Sequence, residues 1–144
     1  MMQLGPNGLA LLKSFEKCRL LAYRDMGGVW TVGWGHTGPN VTAGTVCTQE
    51  QADAWLAEDV QAAAKAVTAH TDVPLTQNQF DALVAFTFNV GAGHFLSSTL
   101  LRLVNAGRFA DAALEFPKWD HVDGQVSAGL AARRAAEQRL FLQP

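Results

Sequence analysis

The sequence predicts an α+β fold: a small antiparallel sheet lobe over residues 18–47, a larger helical lobe over 1–17 and 70–144, and a long helix over 49–70 joining them. Three observations predict it. Aromatic and β-branched residues broken by glycine dominate residues 19–46, which suits short strands and tight turns. Elsewhere apolar residues recur at three- and four-residue spacing, the period of a helix with one buried face. Two capping signals, Thr48 with Gln51 and Thr76 with Gln79, stand immediately before such runs. A chain of 144 residues suits one domain, burying roughly 70% of the surface of its unfolded form.

The elements follow in order. Asn7 is placed to cap a first helix carrying Leu9, Leu12 and Phe15 and ending near Lys17. Leu20–Tyr23, Val29–Trp34 and Val41–Val46 read as three strands, with turns at Met26–Gly28 and Gly38–Asn40. The long helix of Gln49–His70 carries Ala52, Trp55, Leu56, Val60, Ala63 and Val67 at helical spacing. Thr76 opens the next helix, which carries Phe80, Leu83, Val84, Phe86 and Phe88 and stops at Gly91–Gly93. Ser97 or Ser98 starts a helix through Val104, with Gly107 just past its end. A short helix runs over Phe109–Phe116 until Pro117, and a final one over Gly129–Leu142.

Composition narrows the function classes. Apolar residues make up 49% and charged ones 17%, which fits a packed globular domain. A net charge of −2 gives no footprint for nucleic acid. It is unevenly spread: residues 1–36 carry +2, residues 37–96 carry −5 and residues 97–144 carry +1. No apolar run reaches the ~20 residues of a membrane-spanning helix, and stable membrane insertion is not expected. The start, MMQLGPNGLALLKSFEK, lacks a secretory-signal pattern, so a cytoplasmic location is expected. Free thiols are then expected for Cys18 and Cys47; in an oxidising compartment they could instead pair, closing a loop worth roughly 3.5 kcal/mol. The histidines His36, His70, His94 and His121 have no metal-ligand spacing, and no phosphate-binding loop occurs. No metal or cofactor is expected.

The stretch SFEKCRLLAYRDMGGVWTVGWGHT, residues 14–37, holds Glu16 and Asp25, the only acidic residues in the first 49. Glu16 falls in the last turn of the first helix, where the dipole disfavours negative charge. Two carboxyls in an apolar setting suit glycosidic hydrolysis, which needs one acid protonated and the other ionised. Glu16, beside Phe15, Leu20 and Leu21, is the expected proton donor. Asp25, in a turn next to Arg24 and Gly27, is the expected base. Thr31, on the facing strand, offers a hydroxyl to hold a water. The bland reading makes Glu16 a solvated helix-end acid and Asp25 an ordinary turn residue, and spacing alone leaves it open. Gly33 and Gly35 would let backbone come close to a sugar.

Glu16, Asp25 and Thr31, followed by Gly33-Trp34-Gly35-His36, closely resemble the phage-type lysozyme (muramidase, endolysin) family, glycoside hydrolase family 24. TQEQADAWLAEDV, FNVGAGHFLSSTLLRLVNAG and GLAARRAAEQRLF resemble further family segments in the expected order. The resemblance implies a lysozyme-like fold and a muramidase cleaving the β-1,4 bond between N-acetylmuramic acid and N-acetylglucosamine in peptidoglycan. It implies inversion, with Glu16 as acid, Asp25 as base and Thr31 placing the water. It also implies that Gly35, Phe88 and Asn89 line the saccharide site, although Phe88 suits the core equally and Asn89 could bond backbone or Trp119. His36 and Asp59 match a structural pair, whose loss would cost ~3–5 kcal/mol if buried. Trp34 and Trp119 read as packing aromatics, Trp119 as core. Arg133 and Arg134 are adjacent, so at most one is expected to face inward, where it could pair with Glu16. Residues 120–127 depart from the commoner family pattern. The implied biology is a monomer waiting in the host bacterial cytoplasm until a holin opens the inner membrane to the periplasm and cell wall. The alternatives are a lytic transglycosylase and a catalytically inactive wall-binding virion module.

Overall fold

The computed structural model describes residues 2–25 and 27–144, so Met26 of the expected Met26–Gly28 turn lies outside the described residues. Its elements are α1 (Pro6–Phe15), β1 (Arg19–Arg24), β2 (Trp30–Gly33), α2 (Gln49–His70), α3 (Gln77–Val90), α4 (Ala92–Leu96), α5 (Thr99–Asn105), α6 (Phe109–Ala113), a 3-10 turn (Phe116–Lys118), β3 (His121–Val122), β4 (Gln125–Val126) and α7 (Ala128–Leu142). The fold is α+β, as the sequence predicts. Its contacts divide it into two compact units, Leu12–Gln61 and Met1–Leu11 with Ala62–Pro144. None of the described helices is long and apolar enough to cross a membrane.

In the first unit β1 and β2 pair antiparallel, with Tyr23 opposite Thr31 and Arg24 opposite Trp30; the pairing is irregular between Arg19 and Tyr23. The expected third strand over Val41–Val46 does not form. Only a bridge between Leu21 and Val46 remains, flanked by hydrogen bonds from Ala22 N to Thr45 O and from Cys47 N to Leu20 O, both 2.8 Å. The reason is local: a turn closes from Thr45 N to Thr42 O, and Gly44 sits at φ +84°, which breaks extended backbone. Ala22, Val32, Val41, Cys47 and Ala52 form this unit's core, with Cys18 and Trp55 against it. Cys18 and Cys47 are free thiols, and burial pushes the Cys47 thiol up.

In the second unit α3 is buried along Phe80–Thr87, and the rings of Phe116 and Trp119 meet Phe86 edge-on, at 5.6 and 5.4 Å. The Thr76 capping box is complete, with Gln79 N donating to Thr76 Oγ1 and Thr76 N to Gln79 Oε1. Ser98, not Ser97, caps α5. Several expectations fail. Asn7 lies inside α1, which starts at Pro6, and the cap comes from α3: buried Asp81 accepts from Gly5 N (2.9 Å) and Gly8 N (3.2 Å). The helix expected over Phe109–Phe116 ends at Ala113, and Pro117 sits inside the 3-10 turn. The short helix α4 and the hairpin β3–β4 were not expected. The hairpin turns through Asp123 (φ +50°) and Gly124 (φ +80°), an Asp-Gly pair suited to a two-residue loop.

Candidate active site

Glu16 closes the last turn of α1, its N–H bonding Leu12 O at 2.8 Å, and its side chain is half-buried. Leu20 and Leu21, expected around it, are exposed at 41% and 59%, so they do not supply an apolar wall. Gly35 does supply a wall. It has φ +81°, and a Cβ there would stand 2.6 Å from Glu16 Oε2. Only glycine lets this backbone lie against the carboxyl. At Gly33 a Cβ would meet the Ala52 side chain at 3.1 Å, so this glycine also lets the strand pack closely there. The loop that carries both glycines is pinned by paired hydrogen bonds between Val32 and His36, each 2.9 Å.

Asp25 follows β1. Its Oδ1 accepts from Gly27 N and Val29 N, both at 2.9 Å, which fixes the carboxylate in one orientation. Its own N–H donates to Val29 O at 2.9 Å. Thr31, 4% exposed on β2, donates its hydroxyl to the same Val29 O at 3.0 Å. The backbone of Val29 thus ties the base candidate and the hydroxyl together. Tyr23, cross-strand from Thr31, was missed by sequence reasoning. Burial pushes its phenol up, and the charges of Glu16 and Asp25 push it further while Arg19 opposes. A lone tyrosine on a short strand carried no signal of this.

His36 Nδ1 lies 2.9 Å from Asp59 Oδ2, and the imidazole stacks on Trp55 at 4.4 Å. With exposures of 20% and 33% the pair is only part-buried, so its loss should cost about 1–2 kcal/mol, below the figure for a buried pair. Trp34 Nε1 donates to Asp53 Oδ1 at 2.7 Å, and that bond, with one from Gln49, holds the Asp53 carboxyl below its usual range. Lys13 lies over the Trp34 ring at 5.2 Å. Trp34 is therefore a packing residue, as expected.

Phe88 and Asn89 belong to the other unit, in the last turn of α3; Phe88 is half-buried and Asn89 exposed. Asn89 borders a pocket of about 450 Å³ that is also lined by His94, Lys118, Trp119, His121 and Arg134. Trp119 is half-buried and forms part of this wall, so it is not a core residue. Arg133 and Arg134 are both buried, at 5% and 0%, against the expectation that at most one faces inward. Glu137, one turn on and fully buried, lies between them: its Oε1 is 2.9 Å from Arg134 Nε and its Oε2 3.5 Å from Arg133 Nε. Burial pushes Glu137 up to about 7, against the pull of Arg134 and then Arg133.

Comparisons with known proteins agree with this architecture. A family model described as phage lysozyme matches residues 13–137. An endolysin of Bacillus phage PZA is 48% identical over 142 residues, covering 97% of this chain and 55% of that protein. An endolysin of Acyrthosiphon pisum secondary endosymbiont phage 1 is 44% identical over 144 residues, covering 97% and 98%. The chain thus spans about half of the first relative and nearly all of the second. Among solved structures, the muramidase domain of SpmX from Asticaccaulis excentricus superposes with a TM-score of 0.90 at 42% identity, covering 100% of both chains. An endolysin from Escherichia coli O157:H7 phage FAHEc1 gives 0.90 at 38% identity, covering 98% of this chain and 94% of that one. The match runs through Glu16, Asp25 and Thr31 and on to Glu137, and the chain belongs to the phage lysozyme family.

Proposed function

We propose that this domain hydrolyses the β-1,4 bond between N-acetylmuramic acid and N-acetylglucosamine in peptidoglycan, with Glu16 as general acid, Asp25 as general base and Thr31 holding the water. The observation that carries this reading is the backbone of Val29, whose N–H anchors the Asp25 carboxylate and whose carbonyl accepts from the Thr31 hydroxyl. The Thr31 hydrogen is committed to Val29 O, so its oxygen is left to accept. A water can then give one hydrogen to Thr31 Oγ1 and the other to Asp25 Oδ2, the oxygen that the two N–H bonds leave aside. Its lone pair faces the anomeric carbon. As that carbon takes the water oxygen, Asp25 removes the water's proton and Glu16 gives its own to the departing sugar oxygen. Attack opposite the leaving group inverts the anomeric centre. Proton exchange with solvent then restores both acids.

In this reading the enzyme acts as a monomer on the host wall at the end of phage infection, reaching the periplasm from the cytoplasm once a holin has opened the inner membrane. Gly35 seats the acid, and Phe88 and Asn89 contact the glycan. The test is turbidity loss of outer-membrane-permeabilised bacteria. Glu16→Gln and Asp25→Asn should each lose 10²–10⁴-fold in rate while still folding. Thr31→Ala should lose less, and Thr31→Ser should regain most of it. Released fragments should carry added water; an anhydro end would instead identify a lytic transglycosylase. If wild type clears cells no faster than Glu16→Gln, the hydrolase reading fails and a wall-binding module remains.

A further inference from the structure

The pocket in the helical unit contains an amide whose direction is set by chemistry. Arg134 Nη2 lies 2.6 Å from Asn89 Oδ1. A guanidinium only donates, so the Asn89 atom facing it must be the carbonyl oxygen, and the NH2 group faces away. Arg134 has little freedom to release it. The guanidinium is fully buried, its Nη2 is 3.3 Å from Glu137 Oε2, and it lies over the Phe86 ring at 5.1 Å. Asn89, by contrast, is exposed at the pocket wall.

We propose that Arg134, clamped by Glu137, is a positioning residue that turns Asn89 so its amide N–H groups serve the pocket, and that the pocket takes an acyl carbonyl oxygen. This rests on the reading of the domain as a peptidoglycan hydrolase and deepens it. The rest of the lining fits an acylamino group. Among the described residues that line the pocket none is a carboxylate. Lys118 and His121 also line it, their charges met by Glu115 and Asp120 at 2.6 Å each, and Asn89 adds a neutral donor beside them. Trp119 and Leu130 offer apolar surface for the carbon side of the group. Peptidoglycan carries such groups in two places, the acetamido substituents of its sugars and the amides of its peptide stems.

The discriminating variant is Asn89→Asp, which keeps an acceptor for Arg134 but removes the donor. A purely structural Asn89 would tolerate it, because an Arg134–carboxylate pair replaces the old bond. The assay is sedimentation binding in a Glu16→Gln background, which reads affinity without turnover, using intact sacculi and glycan strands stripped of peptide. We expect Asn89→Asp to weaken binding by roughly 3–30-fold, the loss of one hydrogen bond plus repulsion between oxygens, with Tm unchanged or raised. Loss on intact sacculi only assigns the pocket to the peptide stem; loss on both substrates assigns it to the sugar acetamide. Unchanged affinity on both substrates overturns the proposal. That result is separate from failure of the hydrolase reading, which shows only in wild-type lysis.

Discussion

Gly35 shows how far one residue can be read from sequence. The Gly-X-Gly pattern announced close approach to a sugar, and the structure adds a neighbour that the pattern did not announce, the Glu16 carboxyl. Nothing in the spacing of positions 16 and 35 says which neighbour it is. Gly35→Ala combines strain at φ +81° with a clash at the carboxyl, so the helix-end acid must move. The backbone strain should cost about 1 kcal/mol, a Tm drop of a few degrees, while lysis should fall tenfold or more because a proton donor displaced by 1 Å works poorly. A variant that loses Tm and activity in proportion would show that Gly35 only supports folding. The His36–Asp59 pair was expected from the family resemblance, not from spacing, and the two side chains do meet, at 2.9 Å.

At the scale of elements, helices with local caps were legible and α1 was not. Thr76 and Ser98 cap their own helices, so the signal lies within four residues. The first helix opens with Pro6 at its first position and receives its cap from Asp81, some 75 residues on, which also accepts from Gln77 Nε2 at 2.7 Å. Gly8 is part of the same device, since a Cβ there would come within 2.8 Å of the Asp81 Cβ. Asp81→Ala should strand two N–H groups and destabilise the protein by about 2 kcal/mol or more, while Asp81→Asn should cost less. Chemical denaturation of both variants checks this; equal stability of Asp81→Ala and wild type would mean water replaces the cap. The third strand failed for the opposite reason. Val41, Val46 and the residues between have strand-like composition, but one turn at Gly44 outweighs propensity.

For the molecule as a whole, the Arg133–Arg134–Glu137 cluster predicts how stability varies with pH. Glu137 titrates near 7 in the folded state against an ordinary 4.5, because burial penalises its charge more than the two arginines offset it. The folded form therefore binds a proton that the unfolded form has released between those values. Its stabilising contribution is complete below about pH 4.5 and is lost as pH rises through about 7, at no more than about 1.4 kcal/mol per pH unit. Glu137→Gln should remove that slope, and above about pH 7, where the folded carboxyl is charged, it should also lower stability because the buried arginines lose their counter-charge. Urea denaturation from pH 5 to pH 8 compares the slopes. Should the variant fail to fold, the Glu137 carboxyl resonance of the wild type must still titrate near neutrality.

By itself the sequence determined the α+β class and most helix boundaries, because each depends on residues within a few positions of one another. The tertiary structure alone decided that Asp81 caps α1, that Gly35 walls Glu16, and that Glu137 holds two buried arginines, one of which turns Asn89. Those arrangements depend on which surfaces meet after folding. Local propensity carries no information about a partner that only packing brings within hydrogen-bond distance.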